Sequence, residues 1–158
     1  MKVLFVCSAN ICRSALCEAI LKQKLKDTRV TGVEVESAGV HNYAGEPRDY
    51  TMVAYARKEG YELGGYAQCV TSPMLEAADW IICMEHFHLV EVQKRLTYAK
   101  WNRIHLFNEI CFGEKTNLPD PTGDTGYMYA HTLHHIEEGC GILAQKIAKM
   151  MNDGQALP

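Results

Sequence analysis

Apolar and polar positions fall into short blocks along the chain. Val3–Val6 is a β-branched and aromatic run, and the stretch behind it, SALCEAILKQKLK, places Leu16, Ala19, Ile20, Leu21 and Leu25 near helical spacing. That pattern predicts strand, loop, helix. VEVES alternates apolar and acidic side chains and predicts a second strand, closed by Gly39. PRDYTMVAYARKEG predicts a helix with Pro47 in its first turn and Gly60 just past its end. Ser72 and Pro73 read as the N-cap and first residue of a short helix, and DWIICM as a buried strand. A further helix is expected over residues 86–98, followed by the strand RIHLF. In the tail, Ala130, Leu133, Ile136, Cys140, Leu143, Ala144, Ile147 and Met150 mark a long amphipathic helix, with Gly139 and Gly141 counting against one unbroken rod.

Strands alternating with helices imply right-handed βαβ units and a parallel sheet covered on both faces, an α/β fold. No linker, repeat or charge block divides the chain, so its 158 residues are expected to form one domain. The net charge of -3 gives no electrostatic case for nucleic acid or an acidic membrane surface. No apolar run approaches the roughly 18 residues of a membrane span, and MKVLFVC has no leader-like pattern, so a cytoplasmic location is expected. The seven cysteines are an odd number scattered through apolar stretches, which fits free thiols in a reducing compartment.

The densest chemistry is CSANICRS, residues 7–14, at the carboxyl end of the first strand, where open parallel sheets bind ligands. Five residues separate Cys7 from Arg13. A loop of that size before a helix can curl its N–H groups around an anion, and the helix N-terminus adds its positive end. Arg13 supplies a planar fork for two phosphate oxygens. Cys7 at the base meets the same donors, which favour its thiolate and make it a nucleophile. Ser14 can stabilise the departing sulfur, and Asn10 tolerates a left-handed turn. The spacing suits neither a redox C-x-x-C nor a nucleotide loop.

C-x5-R-S near the N-terminus, followed much later by Asp120-Pro121, resembles the low-molecular-weight protein tyrosine phosphatases. The resemblance extends through VLFVCSANICRSALCEAIL, SAGVHNY, AGEPRD, the strand ending ICME, and LPDP. It implies a four-stranded parallel sheet, no metal or cofactor, and a two-step reaction through a cysteinyl-phosphate. Cys7 is then the nucleophile; Arg13 and the loop of Ser8, Ala9, Asn10, Ile11, Cys12 and Ser14 hold the phosphoryl group. Asp120, held extended before a proline, is the general acid and then the base. Ser37 is implied as a brace on Asn10, and Ile11 and Tyr43 as walls of the substrate slot. Relatives preferring phosphoarginine carry Thr at the position of Ile11, which points here to a phosphotyrosine-containing protein as substrate. Phosphate, sulfate or vanadate are the expected active-site anions, and a monomer is expected. The family also implies that Cys12 can close a disulfide with Cys7 under peroxide; simple packing of Cys12 under the loop is the other reading.

The chain departs from the pattern in several places. Ala9 and Ala15 stand where the family usually has Gly and Pro, and any left-handed angle at Ala9 would cost roughly 1 kcal/mol. Gly65 replaces a histidine of the Asn10 and Ser37 network, so weaker bracing is expected. Glu85 and His88 replace Asp and Asn. Thr122 and Gly123 replace aromatic residues after Asp120-Pro121, leaving Tyr127 or Tyr129 to reach back or the mouth to be wider. His131, His134 and His135 share a helical face and read as solvated, with no metal. Two other functions compete: a non-catalytic phosphoryl-anion binder, which has no need of Asp120, and an arsenate reductase, for which Cys83 lacks a partner cysteine at Val90.

Overall fold

Strands β1 (Lys2–Cys7), β2 (Glu34–Gly39), β3 (Trp80–Cys83) and β4 (Ile104–Leu106) pair in the order β2-β1-β3-β4, every neighbouring pair parallel. This architecture comes from a computed structural model describing residues 1–154; the last four residues of the expected domain lie outside the described residues. Helices α1 (Arg13–Asp27), α2 (Tyr50–Lys58), α3 (Ser72–Ala77), α4 (His86–Gln93), α5 (Phe107–Phe112) and α6 (Gly126–Asp153) cover the sheet. Alternating side chains of each central strand serve opposite faces. Val3, Phe5, Trp80 and Ile82 meet Leu16, Ile20, Ile136, Leu143 and Ile147 of α1 and α6. Leu4, Val6, Ile81 and Cys83 meet Leu75 of α3 and Val92 of α4. Burial on both sides explains why β1 and β3 read as continuous apolar runs.

Several boundaries differ from the sequence expectations. α2 begins at Tyr50, because Asp49 caps it by accepting from the Met52 N–H at 2.9 Å, while Pro47 bridges to Tyr66 in the preceding loop. Thr71, not Ser72, caps α3. The helix expected to reach Tyr98 stops at Gln93, and a separate 3-10 turn follows over Tyr98–Arg103. The part of RIHLF after Leu106 belongs to α5, which the chain enters without a side-chain cap. α6 runs unbroken through Gly139 and Gly141. Gly139 is a point of close approach: a Cβ there would lie 2.4 Å from Phe107 Cζ.

Candidate active site

The backbone at the end of β1 wraps tightly over the end of β2. A Cβ on Gly39 would lie 2.7 Å from the Ser8 carbonyl oxygen, so only glycine lets the loop cross there. Asn10 takes the left-handed turn at φ 63°. Ala9 does not fall in that region, so the strain anticipated for it is absent. Asn10 is fully buried and hydrogen-bonded on every side. Its Nδ2 donates to Ser14 Oγ at 2.9 Å and to Ser37 Oγ at 2.8 Å, while Oδ1 accepts from Gln68 N at 2.9 Å. Ser37 Oγ donates onward to Glu18 Oε1 at 2.6 Å.

The bracing expected to weaken at Gly65 comes from a residue the sequence reading did not select. Arg48 Nη1 donates to the Asn10 carbonyl and to Asn10 Oδ1, and Nε donates to Gly64 O at 3.1 Å. Gly65 sits at φ +74°, and a Cβ there would stand 3.6 Å from Arg48 Nη2, an ordinary contact. The network is completed by an arginine from the turn before α2.

Cys7 Sγ lies 2.9 Å from Ser14 Oγ and accepts from the Asn10 N–H at 3.3 Å. Because Ser14 Oγ already accepts from Asn10, its own proton is free to donate to the sulfur, as stabilisation of a thiolate requires. Arg13 is only 2% exposed. Its Nη1 donates to Glu85 Oε2 and to Leu118 O, both at 2.7 Å, and Nη2 stands 3.8 Å from Asp120 Oδ2. Glu85 therefore has a defined place: it fixes the arginine fork from the end of β3. His88, the other departure near Glu85, joins Ser8 Oγ through Nε2 at 2.8 Å. Burial and the nearby Arg13 charge push its pKa down to about 4.

Cys7, Ser8, Ala9, Ile11, Cys12, Arg13, Tyr43 and Asp120 line one cavity of about 210 Å³, with His41 and Thr122 at its mouth. Asn10, Ser14 and Ser37 support it from behind. Asp120 is 47% exposed, with Oδ1 held by the Thr122 N–H at 3.0 Å. Tyr43 is 49% exposed. Neither tyrosine of α6 reaches back into the slot. Tyr129 is buried against Tyr55, its hydroxyl accepting from Gly123 N at 3.3 Å, and Tyr127 stacks on His131.

Cys12 is not in a thiolate-stabilising field. Burial, with Asp49, Asp120 and Cys7 adding, drives its pKa well above the usual thiol value against the pull of Arg13. Cys7 and Cys12 are both free thiols here. The histidine face of α6, expected to be solvated, is only partly so: His135 packs on Phe112 at 4.8 Å and bonds Asn108 Oδ1 at 2.7 Å. Among the described residues no group of three or more metal-ligating side chains converges.

Residues 2–153 match the family described as "Low molecular weight phosphotyrosine protein phosphatase". The chain belongs to that family. It is 30% identical over 148 residues to the low molecular weight protein-tyrosine-phosphatase Etp of Escherichia coli K12, covering 93% of this chain and 95% of Etp. A protein-arginine-phosphatase of Bacillus subtilis is 27% identical over 94% of this chain and 98% of its own. Among solved structures, a protein tyrosine phosphatase from Entamoeba histolytica with Hepes in its active site superposes with a TM-score of 0.87 at 26% identity, covering 94% of this chain and 97% of that one. As a low molecular weight phosphatase the chain is a phosphoric monoester hydrolase.

Proposed function

We propose that this chain hydrolyses phosphotyrosine in proteins through a cysteinyl-phosphate, with Cys7 as nucleophile, Arg13 and the loop N–H groups as phosphoryl ligands, and Asp120 as acid and base. The observation that carries the reading is Arg13: a buried guanidinium, oriented by Glu85 and Leu118 O, opening beside both Cys7 and Asp120 in one cavity. In the first step the Cys7 thiolate forms an S–P bond as the P–O bond to the tyrosine breaks. Asp120 gives its proton to the leaving phenolate. In the second step Asp120 takes a proton from water, whose oxygen bonds phosphorus as the S–P bond breaks, releasing phosphate and regenerating the thiolate. Phosphoryl transfer of this kind rests on positioning and charge stabilisation, which the tied loop supports.

Tyr43 and Ile11 offer an aromatic and an apolar wall for a phenyl ring. Ile11 presents no hydrogen-bond partner to a guanidinium, which favours phosphotyrosine over the phosphoarginine that the Bacillus subtilis relative's name implies for that protein. Asp120 beside Arg13 argues against a pure anion binder, and Cys83, fully buried with its thiol pKa raised by burial, argues against a surface relay of arsenate-reductase type.

The test is turnover of 4-nitrophenyl phosphate from about pH 4 to 8 without added metal, for wild type, Cys7→Ser and Asp120→Asn. Activity is expected to vanish in the first variant and to fall by about 10² to 10⁴ in the second. Initial rates on phosphotyrosyl and phosphoarginyl peptides then choose the substrate. Vanadate binding without turnover by wild type would overturn the enzymatic reading and leave an anion-binding module.

A further inference from the structure

His88 occupies the third position of α4, is fully buried, and uses both ring nitrogens. Nδ1 accepts from the Glu85 N–H at 3.0 Å, and Nε2 meets Ser8 Oγ at 2.8 Å. A backbone N–H can only donate, so Nδ1 must carry a lone pair. A neutral ring then has its proton on Nε2, and that N–H donates to the Ser8 hydroxyl. The opposite tautomer would set two donors against each other in a buried site.

This arrangement has two effects on the loop. Ser8 Oγ, having accepted from His88, keeps its own proton for an anion in the cavity that Ser8 lines. At the same time the ring holds the backbone of Glu85, whose carboxylate fixes Arg13. One imidazole thus ties both sides of the cradle, the Ser8 side directly and the Arg13 side through Glu85. Arg13 and His41 oppose a second proton on the ring, whereas Glu85 and Asp120 favour one. Burial is the largest influence and acts with the first pair, so the ring stays neutral around neutral pH.

The geometry points to His88 as a positioning residue of the phosphoryl site, acting as a fixed Nε2–H tautomer that orients Ser8 and anchors Glu85. This role rests on the reading of the loop as a phosphoryl site. It is tested first in the intact wild-type protein by ¹⁵N NMR of the imidazoles, which needs no catalysis. The expected result is a neutral His88 with Nε2 protonated and Nδ1 bare, unchanged between about pH 7.5 and 5.5. A proton on Nδ1, or titration near the ordinary histidine value of about 6.5, overturns the proposal.

The second arm measures kcat/KM on 4-nitrophenyl phosphate and vanadate affinity for Ser8→Ala, His88→Leu and the double variant. Each single change is expected to lower both by about tenfold, and the double variant to fall well short of the product of the two losses, because both remove the shared His88–Ser8 bond. Full additivity, or unchanged kcat/KM in Ser8→Ala, overturns the proposal. Should His88→Leu fail to fold, the tautomer measurement and Ser8→Ala still decide it. Failure of the phosphatase reading itself shows separately, as absent turnover in wild type with the tautomer intact.

Discussion

Arg48 carries more of the loop between β1 and α1 than its place in a turn before α2 suggests. Asn10 must hold a left-handed angle while its side chain ties β1, α1 and β2 together, and Arg48 grips both its carbonyl and its Oδ1. Removing that grip in Arg48→Ala leaves the Asn10 carbonyl without its partner and Oδ1 with the Gln68 N–H alone, at a cost of about 1–3 kcal/mol. The expected readout is a fall of about tenfold or more in kcat/KM on 4-nitrophenyl phosphate. Arg48→Lys is expected to recover little, because one ammonium cannot reproduce the fork that serves Asn10 and Gly64 together. Installing histidine at position 65 is no remedy, since that backbone sits at φ +74°. The same residues show what was legible beforehand. Cys7, Arg13 and Asp120 could be read because their chemistry is concentrated in short motifs. Arg48, Glu85 and His88 gain their roles from contacts 38, 72 and 80 residues away in the chain, which no local spacing encodes.

At the scale of elements, α6 contains a comparison two residues apart. Gly139 faces α5, where an added Cβ would stand 2.4 Å from Phe107 Cζ and 3.1 Å from Cys111 Sγ. Phe107 is fully buried and cannot swing away cheaply. Gly139→Ala therefore adds overpacking of about 1–3 kcal/mol, outweighing the gain of about 1 kcal/mol that alanine brings to a helix interior. Gly141 has nothing within 4 Å of its would-be Cβ, so Gly141→Ala keeps only the gain. Urea midpoints are expected to move in opposite directions, down for the first variant and up for the second. Sequence pattern located α6 from its apolar stripe yet treated both glycines alike, because a packing partner on another helix is invisible to propensity. It missed α5 for a related reason: six residues without a side-chain cap give too little periodicity to separate from the end of β4.

Across the whole molecule, the ionisable groups hidden in the fold set a pH range for its stability. His88, His105 and His135 are all held below the ordinary histidine pKa, in each case chiefly by burial. Below about pH 6.5 the unfolded chain therefore binds more protons than the folded one, and stability falls as pH falls. For His88, held at about 4, the loss by pH 5 is on the order of 2 kcal/mol and continues until the folded ring itself titrates. The buried thiols act on the other side. Cys12, Cys17, Cys83 and Cys111 are raised by burial, so above about pH 8.5 the unfolded chain sheds protons that the folded one keeps. Stability then falls as pH rises. Urea unfolding under reducing conditions is thus expected to give its highest midpoint between about pH 6.5 and 8.5. His88→Asn should flatten the acid limb selectively while leaving the alkaline limb in place. A variant whose acid limb keeps the wild-type slope would mean that buried histidine protonation does not govern the loss.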